Sequence, residues 1–266
     1  MTKIDKLNKV LNTLFKIYNL TQNISFFLNL NKHKMISKNV QLKNIDKKEC
    51  FVIGNGPSLN ETDFSLLNDF DTFTVNFFHK GNTNFKFKST YHVMIDGAFF
   101  TNENIDYVLE TYRNNRDTKF IFTSKGYNIL YKKGLEFDRA YFINQELVQY
   151  DDYLKIDMTK NMTASINVVL AAIQCALYMG YKKIYLIGCD FNSYATMKPT
   201  HYYDKEAKDR TVPMGVDLQW SALVHYHHYA LANYARKNDV EILNATPNSL
   251  IDAYERVDFR KLISKV

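Results

Sequence analysis

From Cys50 onward, short runs of β-branched and aromatic residues alternate with stretches of helical spacing, and few folds tolerate that order. Strands are expected at 50–54, 72–76, 91–95, 119–123, 140–143, 183–188 and 240–244. Helices are expected at about 62–68, 100–112, 164–179 and 217–237. Such alternation predicts an α/β fold, a Rossmann-like, mostly parallel twisted sheet with helices on its faces. The stretch 164–179 is apolar almost all round, through Ile166, Val168, Val169, Leu170, Ile173, Leu177 and Met179, so it should be buried. Thr163 or Ser165 is expected to cap its start and Gly180 to end it.

Residues 1–48 have a different texture. They hold ten lysines against Asp5 and Asp46, a charge of +8, which leaves −2 for residues 49–266. The chain therefore divides into a basic arm, 1–48, and a near-neutral α/β domain, 49–266. A basic groove for nucleic acid across the body is not supported. Ile4, Leu7, Leu11, Leu14, Phe15 and Tyr18 recur three or four apart, an amphipathic helix with lysines on its other side. Ile24, Phe26, Phe27, Leu28 and Leu30 follow, then a Lys-rich linker to about Lys48. Such an arm either packs on the body or a second chain, or attaches peripherally to an anionic membrane face. The start lacks the apolar core of a signal peptide, and no apolar run is long enough to span a bilayer. Cys50, Cys175 and Cys189 are widely spaced in apolar runs and form neither a disulfide framework nor a zinc pattern. A reducing cytoplasmic compartment follows, with the inner face of the membrane as the alternative.

Ligands of an open parallel sheet bind beyond the carboxyl ends of its strands. After the first strand stands Gly54-Asn55-Gly56-Pro57-Ser58-Leu59. Its glycines admit a ligand to the backbone, and Asn55 and Ser58 can meet phosphate or ribose oxygens. It is neither the dinucleotide fingerprint nor a P-loop. The next strands end at Asn76 and Asp96, and a later one at Gly188-Cys189-Asp190-Phe191-Asn192. Four polar strand ends make a ring around one ligand. The segment at about 193–216, with Tyr194, His201, Tyr202, Tyr203, Asp204, Lys205, Lys208 and Arg210, is long enough to be a lid carrying a base, His201 or Asp204.

Metal chemistry is not expected. Asp69-Phe70-Asp71 precedes a strand, at the wrong end of the sheet. His227 falls on the apolar face of its helix, as a core histidine would. His225 and His228 are one turn apart, without an evident third ligand.

These motifs resemble the bacterial lipooligosaccharide sialyltransferases. The similarity runs over about 50–255. It includes the Gly-Asn-Gly-Pro-Ser turn, Asn76, Thr163, the run Ala176-Leu177-Tyr178-Met179-Gly180-Tyr181-Lys182-Lys183-Ile184-Tyr185-Leu186, Gly188-Cys189-Asp190-Phe191, and Pro247-Asn248-Ser249-Leu250. The resemblance implies a nucleotide-sugar donor of the cytidine-monophosphate type, a glycan or glycolipid acceptor, and metal-independent inversion. By position it implies donor binding by Asn55, Gly56, Ser58 and Asn76; donor binding is further expected at Pro57, Asp96, Thr163, Ala164, Ser165, Asp190, Phe191 and Tyr194. The resemblance implies Tyr202 on the leaving phosphate and His201 as the nearest base, and with Asp204 of the same segment these make the expected catalytic group. Asp96 stands where the family has an Asn that helps hold the sialic acid carboxylate, and Asn161-Met162-Thr163-Ala164-Ser165 replaces Arg-x-Thr-Ser-Gly. His201-Tyr202 matches a pair just upstream of the family base, and Lys205 falls nearest that base. These departures leave a neutral sugar or ribose as partner for Asp96. The alternatives are a pterin diphosphokinase-like phosphate-transfer enzyme, which would want Mg²⁺ and clustered carboxylates, and a non-catalytic glycan-assembly protein.

Overall fold

The computed structural model describes residues 3–45, 48–82, 86–196, 200–204 and 212–263. Among the described residues nine strands form one sheet in the order β6-β5-β4-β3-β2-β1-β7-β8-β9. They are β1 (Glu49–Ile53), β2 (Asp71–Val75), β3 (Tyr91–Met94), β4 (Lys119–Thr123), β5 (Ala140–Leu147), β6 (Asn161–Thr163), β7 (Lys183–Ile187), β8 (Glu241–Asn244) and β9 (Glu255–Arg256). Every adjacent pair is parallel. The fold is thus α/β and Rossmann-like, with a parallel sheet. The seven expected strands are present, and β6 and β9 are additional. Strand order reverses between β1 and β7, which opens a crevice at their carboxyl ends.

Continuous apolar runs suit strands covered on both faces. Along β1, Cys50 and Val52 join the core beneath helix α5 (Val168–Met179), whereas Phe51 and Ile53 join a second core with Leu59, Phe78 and Tyr185. As expected, α5 is buried and ends at Gly180, which takes a left-handed φ of 94°. Its start differs from expectation. Asn167 caps it through Oδ1, which accepts from Leu170 N at 3.0 Å. Thr163 lies on β6 instead, and the Ser165 hydroxyl accepts from Gln145 and Gln174.

The remaining helices are α1 (Lys3–Leu28), α2 (Leu30–Ser37), α3 (Ile105–Asn114), α4 (Tyr127–Lys132), α6 (Met214–Lys237) and α7 (Phe259–Ile263). The expected helix at 62–68 is a 3₁₀ turn, Phe64–Leu67, and α4 was not anticipated. Part of the expected linker folds as α2 and a 3₁₀ turn, Lys38–Leu42, burying Ile36, Asn39 and Leu42. Asn39 Nδ2 donates to Phe142 O and Met158 O, both at 2.6 Å, and so fastens this segment beside β5. All three cysteines are buried and free, and burial pushes their thiols up.

The loops after β1 and β7 meet backbone to backbone. Gly54 N donates to Ile187 O at 2.9 Å and Gly56 N to Gly188 O at 2.8 Å. A Cβ on Gly54 would lie 2.2 Å from Gly188 O, too close for any side chain. Gly54→Ala is therefore expected to lower stability by about 1–3 kcal/mol. A urea midpoint equal to that of the parent would show that the two loops can part without cost.

Candidate active site

A cavity of about 370 Å³ occupies the crevice between β1 and β7. Its walls include Asn55 and Gly56 after β1, Asn76 after β2, Asp190 and Phe191 after β7, and the start of α5. His201 stands at its edge and His228 of α6 in its wall.

The Asp190 carboxylate is held in place rather than left open. It accepts from Ser58 N at 3.2 Å and from Ser58 Oγ at 2.7 Å. A Cβ on Gly56 would fall 1.8 Å from Asp190 Oδ2, so the glycine makes room for the carboxylate. Burial raises the Asp190 pKa, and the Ser58 bonds oppose that shift.

Two buried amide oxygens point to a ligand. Asn55 donates through Nδ2 to Val75 O at 3.1 Å, and its Oδ1 has no partner. Asn76 takes a left-handed φ of 48°, which asparagine tolerates better than most residues. Its carbonyl accepts from His92 Nε2 at 3.1 Å and from Tyr107 OH at 3.3 Å, while its Oδ1 is buried and unpartnered. A buried polar atom without a partner costs about 1–3 kcal/mol, which a ligand bearing N–H or O–H groups would recover.

His201 is oriented by its neighbours. Its Nδ1 lies 3.0 Å from Asp204 Oδ2, and its ring stacks on Tyr203 at 5.0 Å. A carboxylate-backed imidazole with its Nε2 edge left over is the arrangement a general base requires. Tyr202 lies elsewhere. Its hydroxyl donates to Phe78 O and its ring packs over Gly81, outside the cavity lining. Lys205, Lys208 and Arg210 lie outside the described residues.

The other expected donor-binding residues do not line the cavity. Asp96 caps the following 3₁₀ turn through Ala98 N at 2.9 Å. The Thr163 hydroxyl is buried and accepts from Lys155 N at 2.8 Å, while Ala164 N donates to Leu147 O. Ser165 belongs to a buried amide chain that runs through Gln174 to His227. Pro57 opens a 3₁₀ turn that carries Ser58, and Tyr194 packs against Phe191 at 6.0 Å.

His228 was missed as a cavity residue. It is fully buried, its Nδ1 lies 2.9 Å from Tyr254 OH, and its Nε2 has no partner. Asn167, the α5 cap, was also missed, although an Asn three residues before Leu170 is a legible capping signal. Among the described residues, no three His, Cys, Asp or Glu side chains stand together as a metal-holding group. Asp71, at the amino end of β2, accepts from Tyr181 OH at 2.5 Å.

A larger hollow of about 560 Å³ lies beyond the Ser58–Asp190 contact, lined by Asn244, Thr246, Asn248, Arg256 and Arg260 among others. Its buried polar groups are committed. Asn244 bonds Ile251 O and Thr246 N, and Thr246 Oγ1 bonds Leu186 O and Cys189 N. The unpartnered oxygens of Asn55 and Asn76 therefore favour the smaller cavity as the site.

Fold and cavity together define a Rossmann-like α/β protein with a ligand crevice at its switch point. The chain belongs to the MptE-like family, whose model, described as 6-hydroxymethylpterin diphosphokinase MptE-like, matches residues 18–195. Among solved structures it is similar to the sialyltransferase CstII from Campylobacter jejuni in complex with the substrate analogue CMP-3FNeuAc. That likeness has 21% identity, covers 79% of this chain and 86% of that one, and has a TM-score of 0.49. CstII in complex with a trisaccharide acceptor and CMP is similar at 20% identity over 78% and 85% of the two chains, TM-score 0.46. The MAf glycosyltransferase from Magnetospirillum magneticum AMB-1 is similar at 10% identity, TM-score 0.49, over 85% of this chain but 38% of that one. No curated protein matches.

Burial holds four histidines neutral. It lowers His228 to about 3, His227 and His79 to about 4, and His92 well below the usual imidazole range. In the unfolded chain each titrates near 6.5. The stability they contribute is complete above that value and is lost as pH falls through the folded values. Unfolding is expected to take up close to four histidine protons at about pH 5. Urea midpoints measured from pH 7 to pH 4 should fall steeply below about 6.5; a flat profile would mean these rings accept charge in place.

Proposed function

We propose that the protein transfers a sugar from a nucleotide-activated donor to a glycan or glycolipid acceptor on the cytoplasmic side of the cell. The observation that carries this reading is the pair of buried, unpartnered amide oxygens of Asn55 and Asn76 in the crevice cavity. They call for a ligand rich in hydroxyl or amine donors, as a nucleoside and a sugar are, rather than for a bare phosphate. The resemblance of the Gly-Asn-Gly-Pro-Ser turn to sialyltransferases supports a donor of the CMP-sialic acid kind or a related nucleotide sugar.

The chemistry needs little from the protein beyond placement. Departure of a nucleoside phosphate leaves an oxocarbenium-like carbon and a growing anion. The amino end of α5, where Val168 and Val169 line the cavity, is suited to meet that anion. His201, held through Nδ1 by Asp204, takes the proton of the acceptor hydroxyl as oxygen bonds to the anomeric carbon from the opposite face. No step is assigned to a metal.

The family description supports a second reading, diphosphate transfer from ATP to a hydroxymethylpterin. The two differ in a donor screen. Calorimetry with CMP, UDP, GDP and ATP, with and without Mg²⁺, is expected to show CMP binding that does not need Mg²⁺. Binding of ATP alone, strictly with Mg²⁺, would decide for diphosphate transfer. Binding of none would leave a non-catalytic assembly role. Asn55→Ala and Asn76→Asp are each expected to weaken the bound nucleotide by roughly ten-fold or more. His201→Ala should lower kcat about 10²–10⁴-fold with donor affinity kept; full turnover in that variant would remove His201 as the base.

A further inference from the structure

Between Asn12 and Asn23 helix α1 meets the body with a polar stripe, and Phe26 adds a buried ring near its end. Asn12 donates to Asp151 at 2.7 Å, Lys16 lies over the Tyr150 ring, Asn19 bonds both backbone groups of Val148 at 2.8 Å, and Asn23 accepts from Lys155 at 3.3 Å. These positions recur four, three and four residues apart and so share one stripe of the helix. The opposite stripe is apolar and faces outward. Leu7, Val10, Leu14, Ile17, Ile24 and Leu28 are each more than half exposed. They extend over about 30 Å of helix. This is the reverse of ordinary amphipathic packing, in which the apolar side covers the core.

An exposed apolar stripe of that length on a soluble body needs a partner. Charge decides which kind. The arm carries ten lysines against Asp5 and Asp46, and Lys6 and Lys9 are exposed on the helix that bears the stripe. Pairing two copies through this helix would bring one +8 arm against another. A surface of negative lipid headgroups over hydrocarbon complements both properties at once. No helix among the described residues is long and apolar enough to cross a membrane, so α1 would lie in the plane of the interface.

We propose that the outward face of α1 docks side-on to an anionic lipid bilayer, with the leucine and isoleucine side chains below the headgroups and the arm's lysines among them. The polar stripe then has a clear purpose. It holds the helix on the body while leaving the apolar side free. The proposal does not depend on the donor or on the reaction.

The test is sedimentation of the full chain with vesicles. One set combines phosphatidylglycerol and phosphatidylcholine in equal parts, and the other is phosphatidylcholine alone. The chain should sediment with the first set far more than with the second, and less as salt is raised. Lys6→Gln and Lys9→Gln should each weaken binding roughly five-fold. A combined Leu14→Gln, Ile17→Gln, Ile24→Gln variant should lose at least ten-fold in partition. Its urea midpoint and nucleotide affinity should match the parent, because these side chains are already exposed. Equal recovery of the parent in both supernatants would overturn the proposal. So would vesicle binding that survives the triple substitution. A parent that elutes as a dimer, converted to monomer by that variant, would assign the face to a second copy instead.

Discussion

The structure turns on the contact between the loops after β1 and β7. Two hydrogen bonds, from Gly54 to Ile187 and from Gly56 to Gly188, draw them together. The absence of side chains at 54 and 56 lets the backbones approach, and Ser58 then reaches the Asp190 carboxylate. This contact closes the floor of the crevice between the two halves of the sheet. It leaves Asn55, between the glycines, turned toward Val75 and the second strand end. A side chain at either glycine would force the loops apart and disperse the groups around the cavity.

A second layer fixes the groups that this contact brings together. Asn76 is locked from behind by His92 and Tyr107, both bonded to its carbonyl. The Asn76 carbonyl can only accept, so His92 carries its proton on Nε2, and its Nδ1, 2.8 Å from the Thr74 hydroxyl, accepts. His228 is tethered to Tyr254 on the opposite wall, beyond Phe191. This second layer therefore rests on neutral imidazoles and amides. The hydrogen bonds that shape it are worth about a kcal/mol each, and they hold without charge.

Much of this was legible in the residues. Seven strands were legible as apolar runs, β1, β2 and β7 closed by Gly54, Asn76 and Gly188, and Asn55, Gly56, Asn76 and Asp190 because ligands gather at strand ends. Strand β6 was not, since three residues with two polar side chains carry no period. The misjudged start of α5 had a local cause. Thr163 and Ser165 look like caps, yet β6 and a glutamine chain recruit their hydroxyls, and Asn167 takes the role. Asp96, Thr163, Ala164 and Ser165 stand beside the cavity residues in the linear motifs, whereas in the fold their partners are local backbone and glutamine side chains. His228 could not be chosen over His225 and His227 from spacing alone, because only the tertiary position of Tyr254 and the cavity separates them. Likewise, helical period revealed the two sides of α1 but not which side faces the body. That depends on asparagines finding Val148 and Asp151.

The pairing of β1 with β7 also sets an order of events during synthesis. Each residue of β1 pairs with one 134 positions later, from Glu49 with Lys183 to Ile53 with Ile187. As the chain leaves the ribosome, β1 can line up with β2 long before its other partner exists. Until then one edge of a strand reading Cys-Phe-Val-Ile is open to any passing strand. The crevice thus comes into being late in synthesis, and a chain truncated before residue 183 would end its sheet on a bare, adhesive edge at β1.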